Sequence, residues 1–131
     1  MDAAGEWNSQ LRRGLLELCI LALIEKGPIY GYQIISRLAG TPELAAGEGT
    51  IYPLLRRLRK EGLAESYWQT SEEGPPRNYY SLTASGRKAL SAMRAEWMKM
   101  AAAVDRYAGP GRHADHTQDA GNNGTEGADG E

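Results

Sequence analysis

The stretch Gly49-Thr50-Ile51-Tyr52-Pro53-Leu54-Leu55-Arg56-Arg57-Leu58-Arg59-Lys60-Glu61-Gly62 decides how the rest of the chain is read. Ile51, Leu54, Leu55 and Leu58 recur at helical spacing and make an inner face. The opposite face carries Pro53, Arg56, Arg57 and Lys60, flanked by Tyr52 and Arg59. Four cations thus fall within Arg56–Lys60, opposed only by Glu61. Thr50 is the best capping residue nearby, so the spacing predicts a helix over Thr50–Glu61 that stops at Gly62. Pro53 then takes the third helical position, inside the first turn, where a missing N–H costs least.

Upstream, Leu11, Leu15, Leu18 and Ala22 form a stripe that Leu16, Cys19, Ile20 and Leu23 widen. This predicts a helix over Ser9–Lys26, buried on most sides and stopped by Gly27-Pro28. A short helix over Tyr30–Ala39 follows, with Tyr32, Ile35 and Leu38 on one face, broken by Gly40, Thr41 and Pro42. Downstream, Leu63–Thr70 and Arg77–Leu82 read as the strands of a hairpin around the turn-rich Ser71–Pro76. Tyr80 and Leu82 share a face and are expected in the core. Thr83 then caps a long helix, Ala84–Tyr107. Along it Leu90, Met93, Trp97, Met100, Val104 and Tyr107 alternate spacings of three and four, the heptad register of a helix that packs on a partner.

Helix, helix, helix, hairpin, long helix is a mainly α fold with a small β-hairpin. It is the layout of a winged helix-turn-helix with a long C-terminal dimerisation helix added. The expected boundaries are a flexible N-terminal arm over residues 1–10, a winged-helix DNA-binding domain over 11–82, a dimerisation helix over 83–108, and a disordered, acidic, glycine-rich tail over 109–131. In that tail no apolar side chain exceeds alanine, and six of the sixteen glycines fall there.

Composition narrows the function. The chain's net charge of −2 hides a split: the tail holds Arg112 against five carboxylates, whereas residues 1–108 hold 14 basic and 12 acidic side chains. The domain itself is mildly basic. One cysteine, Cys19, excludes a disulfide within the chain and fits a reducing cytoplasm. Leu15–Ile24 is too short for a membrane span, and the acidic start lacks the basic region of a signal peptide, so a cytoplasmic protein without a membrane partner is expected. His113 and His116 lie in the glycine-rich tail, which offers no held geometry for a metal. Asn123-Gly124-Thr125 matches a glycosylation acceptor that has no secretory route. No nucleophile, base or phosphate loop assembles, so no catalytic residue, cofactor or enzyme activity is expected.

The run Gly49-Thr50-Ile51-Tyr52-Pro53-Leu54-Leu55-Arg56-Arg57-Leu58 with Glu61-Gly62-Leu63 resembles the PadR family of transcriptional regulators. So does Tyr79-Tyr80-Ser81-Leu82-Thr83 followed by Gly86, and so does Gly31-Tyr32. The resemblance spans residues 11–108. It implies a homodimeric repressor that binds double-stranded DNA at an inverted repeat and is often released by a small ligand. A single C-terminal helix is similar to the short-tailed branch. Two positions depart from the pattern: Tyr30 stands where histidine is common, and Glu72 and Glu73 at the wing tip are poorly suited to close phosphate contact.

The third helix would enter the major groove and the hairpin would be the wing. Base readout is assigned to Thr50, Tyr52, Pro53 and Arg56, near the helix start. Arg56, Arg57, Arg59 and Lys60 supply contacts that are mostly to phosphate. Tyr52 serves equally as a packing residue, and Arg77 as a wing contact or a plain surface arginine. The dimer interface is assigned to Leu15, Leu90, Met93, Trp97, Met100, Val104 and Tyr107. A planar effector would stack on Trp97 between Met93 and Met100, as the resemblance to multidrug-binding relatives implies; filling the dimer core is the competing role for Trp97. The alternative for the whole protein is a winged helix used only as a protein-interaction module, for which four cations on the third helix have no purpose.

Overall fold

A computed structural model describes residues 2–110. The tail assigned to 109–131, with its histidines and its Asn123-Gly124-Thr125, lies outside the described residues from 111 onward. Two compact units divide inside the last helix, one ending at Arg94 and the other beginning at Ala95. No helix among the described residues is long and apolar enough to cross a membrane.

The first unit holds α1 (Ala3–Glu25), β1 (Ile29–Tyr30), α2 (Gly31–Ala39), a single 3-10 turn (Pro42–Leu44), α3 (Glu48–Lys60), β2 (Ala64–Ser71), β3 (Gly74–Leu82) and the start of α4 (Ala84–Ala108). The fold is mainly helical with a small antiparallel sheet, as the periodicity predicts. The expected arm over residues 1–10 is instead helical from Ala3, because Asp2 caps that end: its Oδ1 accepts from the Gly5 N–H at 2.7 Å. The sheet has three strands in the order β1-β3-β2, so the hairpin gains an edge strand of two residues. Two residues give no alternation to detect, which is why Ile29-Tyr30 is not legible as a strand in the sequence. Only Glu72 and Glu73 separate β2 from β3, so Gly74-Pro75-Pro76, expected in the turn, extends the wing instead.

One core serves this unit. Leu16, Ile20, Leu21 and Ile24 of α1 meet Ile34 and Leu38 of α2, Ile51, Leu55 and Leu58 of α3, Ala64, Tyr80 and Leu82 of the sheet, and Leu90 of α4. Two expectations change here. Leu90, placed in the dimer seam, has no exposed surface and belongs to the core of its own chain. Tyr32, grouped with Ile35 and Leu38 on one face of α2, is 62% exposed, and Gly31 and Ile34 join Leu38 on the inner face.

α3 also begins earlier than Thr50. Gly47 is its N-cap and Glu48 its first residue, so Pro53 is the sixth helical residue and not the third. Pro53 therefore leaves the Gly49 carbonyl without its usual intrahelical partner. The far end closes by a left-handed cap. Gly62 has φ of +80°, the Leu63 N–H reaches the Leu58 carbonyl at 2.9 Å, and the Gly62 N–H reaches the Arg59 carbonyl at 3.0 Å. Any side chain at Gly62 would meet the left-handed penalty.

The start of α4 is bolted onto this cap. The Thr83 hydroxyl donates to the Gly62 carbonyl at 2.6 Å and accepts from the Gly86 N–H at 2.9 Å, while the Thr83 N–H donates to the Leu63 carbonyl at 3.2 Å. Gly86 sits so close to Leu63 that a Cβ there would collide with its carbonyl and with the Leu82 side chain. Gly86→Ala should accordingly destabilise the domain by about 1–3 kcal/mol, because backbone cannot swing away as a side chain can. Chemical denaturation checks this; an unchanged midpoint would mean that the two segments separate freely.

Candidate nucleic-acid interface

α3 presents its basic face as predicted, with one exception. Arg56 and Lys60 are exposed and form no ion pair among the described residues. Arg57 turns back to α1, donating to Glu17 at 2.6 Å and lying 3.8 Å from Glu61. Its charge is compensated, so it fits a structural tie better than the DNA contact assigned to it. The cause is a partner 40 residues away, which no local pattern reveals. With both side chains partly exposed, such a pair adds at most about 1 kcal/mol.

Arg59 reaches the other way, donating to the Ser66 hydroxyl on β2 at 3.1 Å. This bond joins the third helix to the wing and fixes where that guanidinium stands. On β3, Arg77 lies over the Tyr30 ring, 4.6 Å from its centroid. It is neither a free surface side chain nor an arm held by carboxylates; a cation over an aromatic face gains about 0.5–1 kcal/mol at an exposed site. Tyr30 in turn meets Tyr79 edge-on at 5.3 Å, and Tyr79 stacks on Tyr67 at 5.9 Å. A tyrosine from each of the three strands thus stiffens the base of the wing.

Between α3, the start of α2 and the wing lies a groove of about 760 Å³. Tyr52, Arg56 and Arg59 line it from α3, Tyr30, Gly31 and Tyr32 from the β1–α2 corner, and Trp68, Arg77 and Asn78 from the wing. Four of the predicted site residues, Tyr52, Arg56, Arg59 and Arg77, therefore converge on one concave surface. Thr50, Pro53 and Lys60 are exposed on α3 but do not line it.

Tyr52 is half-buried and packed against Gly31, where a Cβ would collide with its ring. Burial pushes the phenol above its ordinary value, with the Glu48 charge and Tyr80 adding to the effect. It stays protonated at neutral pH and can donate a hydrogen bond. Packing and contact are compatible at this position. Asn78 carries one buried carboxamide oxygen, Oδ1, that has no hydrogen-bond partner.

Sequence reasoning missed Trp68, Tyr32 and Ser66. Trp68 is 70% exposed and pairs with Asn78 across the hairpin, and Ser66 pairs with Tyr80. Counting back by twos from Tyr80 across the correct register would have put Ser66 and Trp68 on the groove side. Tyr32 faces the groove because Gly31, Ile34 and Leu38 take the inner face of α2, which depends on packing with other elements.

The effector and dimer residues do not line this groove. Met93 packs against the core of the first unit. In the second unit Trp97, Met100, Val104 and Tyr107 are 43, 56, 53 and 88% exposed along the single helix. Leu15, on α1, is half-buried.

The sequence model of the transcriptional regulator PadR-like family matches residues 20–92, which contain α2, α3, the whole wing and the Thr83–Gly86 junction. A PadR-like transcription factor from Bacteroides fragilis is 41% identical, with a TM-score of 0.64 over 79% of this chain and 99% of that one. A PadR family transcriptional regulator from Eggerthella lenta is 32% identical, with a TM-score of 0.73 over 80% of this chain and 91% of its own. An uncharacterized protein of Lysinibacillus sphaericus is 31% identical over 102 residues, 76% of this chain and 94% of its own. The match covers α3 and the wing together, and the chain belongs to the PadR-like family of transcriptional regulators.

Proposed function

We propose that this regulator is a homodimeric repressor that reads an inverted-repeat operator and leaves it when a small aromatic ligand binds. Residues 11–82 form the DNA-binding part and residues 83–108 the dimerisation helix. The observation that carries the reading is the convergence of Arg56, Arg59 and Arg77 on one aromatic-lined groove beside the exposed cation Lys60, with no carboxylate lining it. Cations gathered on one groove that no carboxylate lines serve an anionic partner, and their alignment with an exposed helix fits duplex DNA. With glutamates at the wing tip, Arg77, within β3, is the wing residue suited to contact a phosphate or the minor groove. Selecting bound fragments from genomic DNA tests the reading directly: an inverted repeat supports it, while no enrichment and no salt-dependent retention on heparin would favour the protein-interaction module.

Contact types separate by mutation. Lys60→Ala should weaken binding to operator and random duplex by the same factor and lower the salt slope by about one, as removing a phosphate partner does. Arg56→Ala should cost about 1–3 kcal/mol more on the operator, as removing a bidentate guanine partner does. Equal effects on both duplexes would make Arg56 a positioning residue. Binding isotherms at several salt concentrations check both.

The dimer reading rests on exposed apolar stripes. Trp97, Met100, Val104 and Tyr107 follow a 3-4 register, and Trp7 and Leu11 of α1 are likewise exposed. Leu90 drops out of the seam because the protomer's core already holds it, so the interface starts at the half-buried Met93. Val104→Asp should weaken the dimer by about 3–5 kcal/mol, since a buried unpaired carboxylate costs that much. Val104 is exposed in the protomer, so helicity should survive while sedimentation shifts to monomer. An unaltered dimer would move the seam elsewhere.

Met93, Trp97 and Met100 are the effector candidates in that interface. Planar dyes should quench Trp97 fluorescence in a Trp7→Phe, Trp68→Phe background and lower operator affinity by a coupling of about 1–3 kcal/mol. If Trp97→Ala binds the same ligands with unchanged affinity, Trp97 is packing alone.

A further inference from the structure

Ser9, Arg12, Arg13 and Leu16 share one face of α1, because residues three, four and seven apart fall on the same side of a helix. With Ala45, Ala46, Gly47 and Thr50 they line a concavity of about 420 Å³ at the entrance to α3. Trp7, Leu11 and Leu18 fall on the opposite side of α1, and the two arginines stand at the outer end of the face that Leu16, Ile20 and Ile24 continue into the core.

The chemistry of the concavity is one-sided. Arg12 and Arg13 bring two guanidinium groups, and neither forms an ion pair among the described residues, whereas Arg57 and Arg94 are both held by carboxylates. Ser9 and Thr50 add hydroxyls. No carboxylate lines the space, and Glu48, the first residue of α3, is not part of it. Leu16 forms a buried floor, and the facing wall of Ala45, Ala46 and Gly47 has no side chain beyond a methyl group. Two unpaired guanidinium groups and two hydroxyls in an open hollow suit an oxyanion that approaches from outside.

Thr50 also identifies the source of that anion. It stands on the same helix as Arg56, six residues earlier and so about 9 Å along the axis. At about 3.4 Å per nucleotide along one strand, both positions fall within a few nucleotides of each other. We propose that the concavity is a second DNA clamp, in which Arg12 and Arg13 of α1 hold a backbone phosphate of the duplex that receives α3. This rests on the DNA-binding reading above and extends the footprint from α3 and the wing to the first helix.

The test compares a duplex recovered by genomic selection with an unrelated duplex of the same length. Arg12→Gln with Arg13→Gln should raise Kd on both by the same factor, about tenfold at low salt, and lower the slope of log Kd against log salt by about 0.9 for each phosphate no longer held. Arg12→Lys with Arg13→Lys should keep the salt slope. Lys88→Gln, which removes an exposed cation outside both concavities, should leave the slope unchanged and so exclude a mere change in net charge. An unaltered slope in the glutamine double variant, with an unaltered melting temperature, overturns the clamp; so does an equal effect in Lys88→Gln. Where Lys60→Ala still weakens binding, only the clamp falls. Where the wild type itself binds neither duplex, the DNA-binding reading falls with it.

Discussion

The fold hangs on the junction between the turn after α3 and the start of α4. Thr83 occupies the centre: its hydroxyl donates to the Gly62 carbonyl and accepts from the Gly86 N–H, and its own N–H donates to the Leu63 carbonyl. Each bond meets a need that already exists. The end of α3 has orphan carbonyls, and the start of α4 has orphan N–H groups. Gly86 has no side chain because Leu63 lies where its Cβ would be. The wing begins and ends at this point, Ala64 pairing with Leu82, so the hairpin is anchored at its base to the helix whose outer face carries the arginines. The family resemblance in Glu61-Gly62-Leu63 and Leu82-Thr83 with Gly86 is a resemblance of this junction, since these residues are the ones it requires.

From that anchor the wing and α3 are held at a defined separation. Arg59 spans the gap to Ser66, Tyr52 packs into the space left by Gly31, and Arg77 lies on Tyr30. None of these interactions is strong alone; exposed polar ties of this kind contribute on the order of 1 kcal/mol or less. Their consequence is positional. They hold two guanidinium groups, those of Arg59 and Arg77, beside Arg56 on one groove lined by no carboxylate, and they stop these two long side chains from sampling the surface freely. Ordering before binding of that kind favours capture of an extended anion.

The second unit obeys a different logic. Beyond Arg94 the helix exposes Trp97, Met98, Met100, Val104 and Tyr107, more large apolar surface than one solvated helix carries comfortably. Just before the boundary, Arg94 bonds Glu25 at 2.9 Å and holds that carboxyl below its ordinary range, so the first turns of α4 belong to the globular unit. The helix therefore changes role at that point, from packing inward to presenting a stripe outward.

Periodicity alone determined the four helices, the inner face of α3, the hairpin and the basic outer face, because these depend on residues within a few positions of one another. The capping and stopping residues were equally local: Thr83 and Gly62 act where the sequence places them. What depended on distant partners could only come from the tertiary structure. Arg57 looked like its neighbours until Glu17 of α1 claimed it. Leu90 fitted a heptad equally well as a core residue, since the same spacing serves both an inner face and a partner's seam. Pro53 moved from the third to the sixth helical residue because Gly47 and not Thr50 caps the helix. Trp68 and Tyr32 became groove residues through register and helix phase, and Arg12 and Arg13 became neighbours of Thr50 through packing between α1 and the entrance to α3. A sequence carries the pattern of each element; which faces meet is set by the joint packing of all of them, and charge and contact are assigned only there.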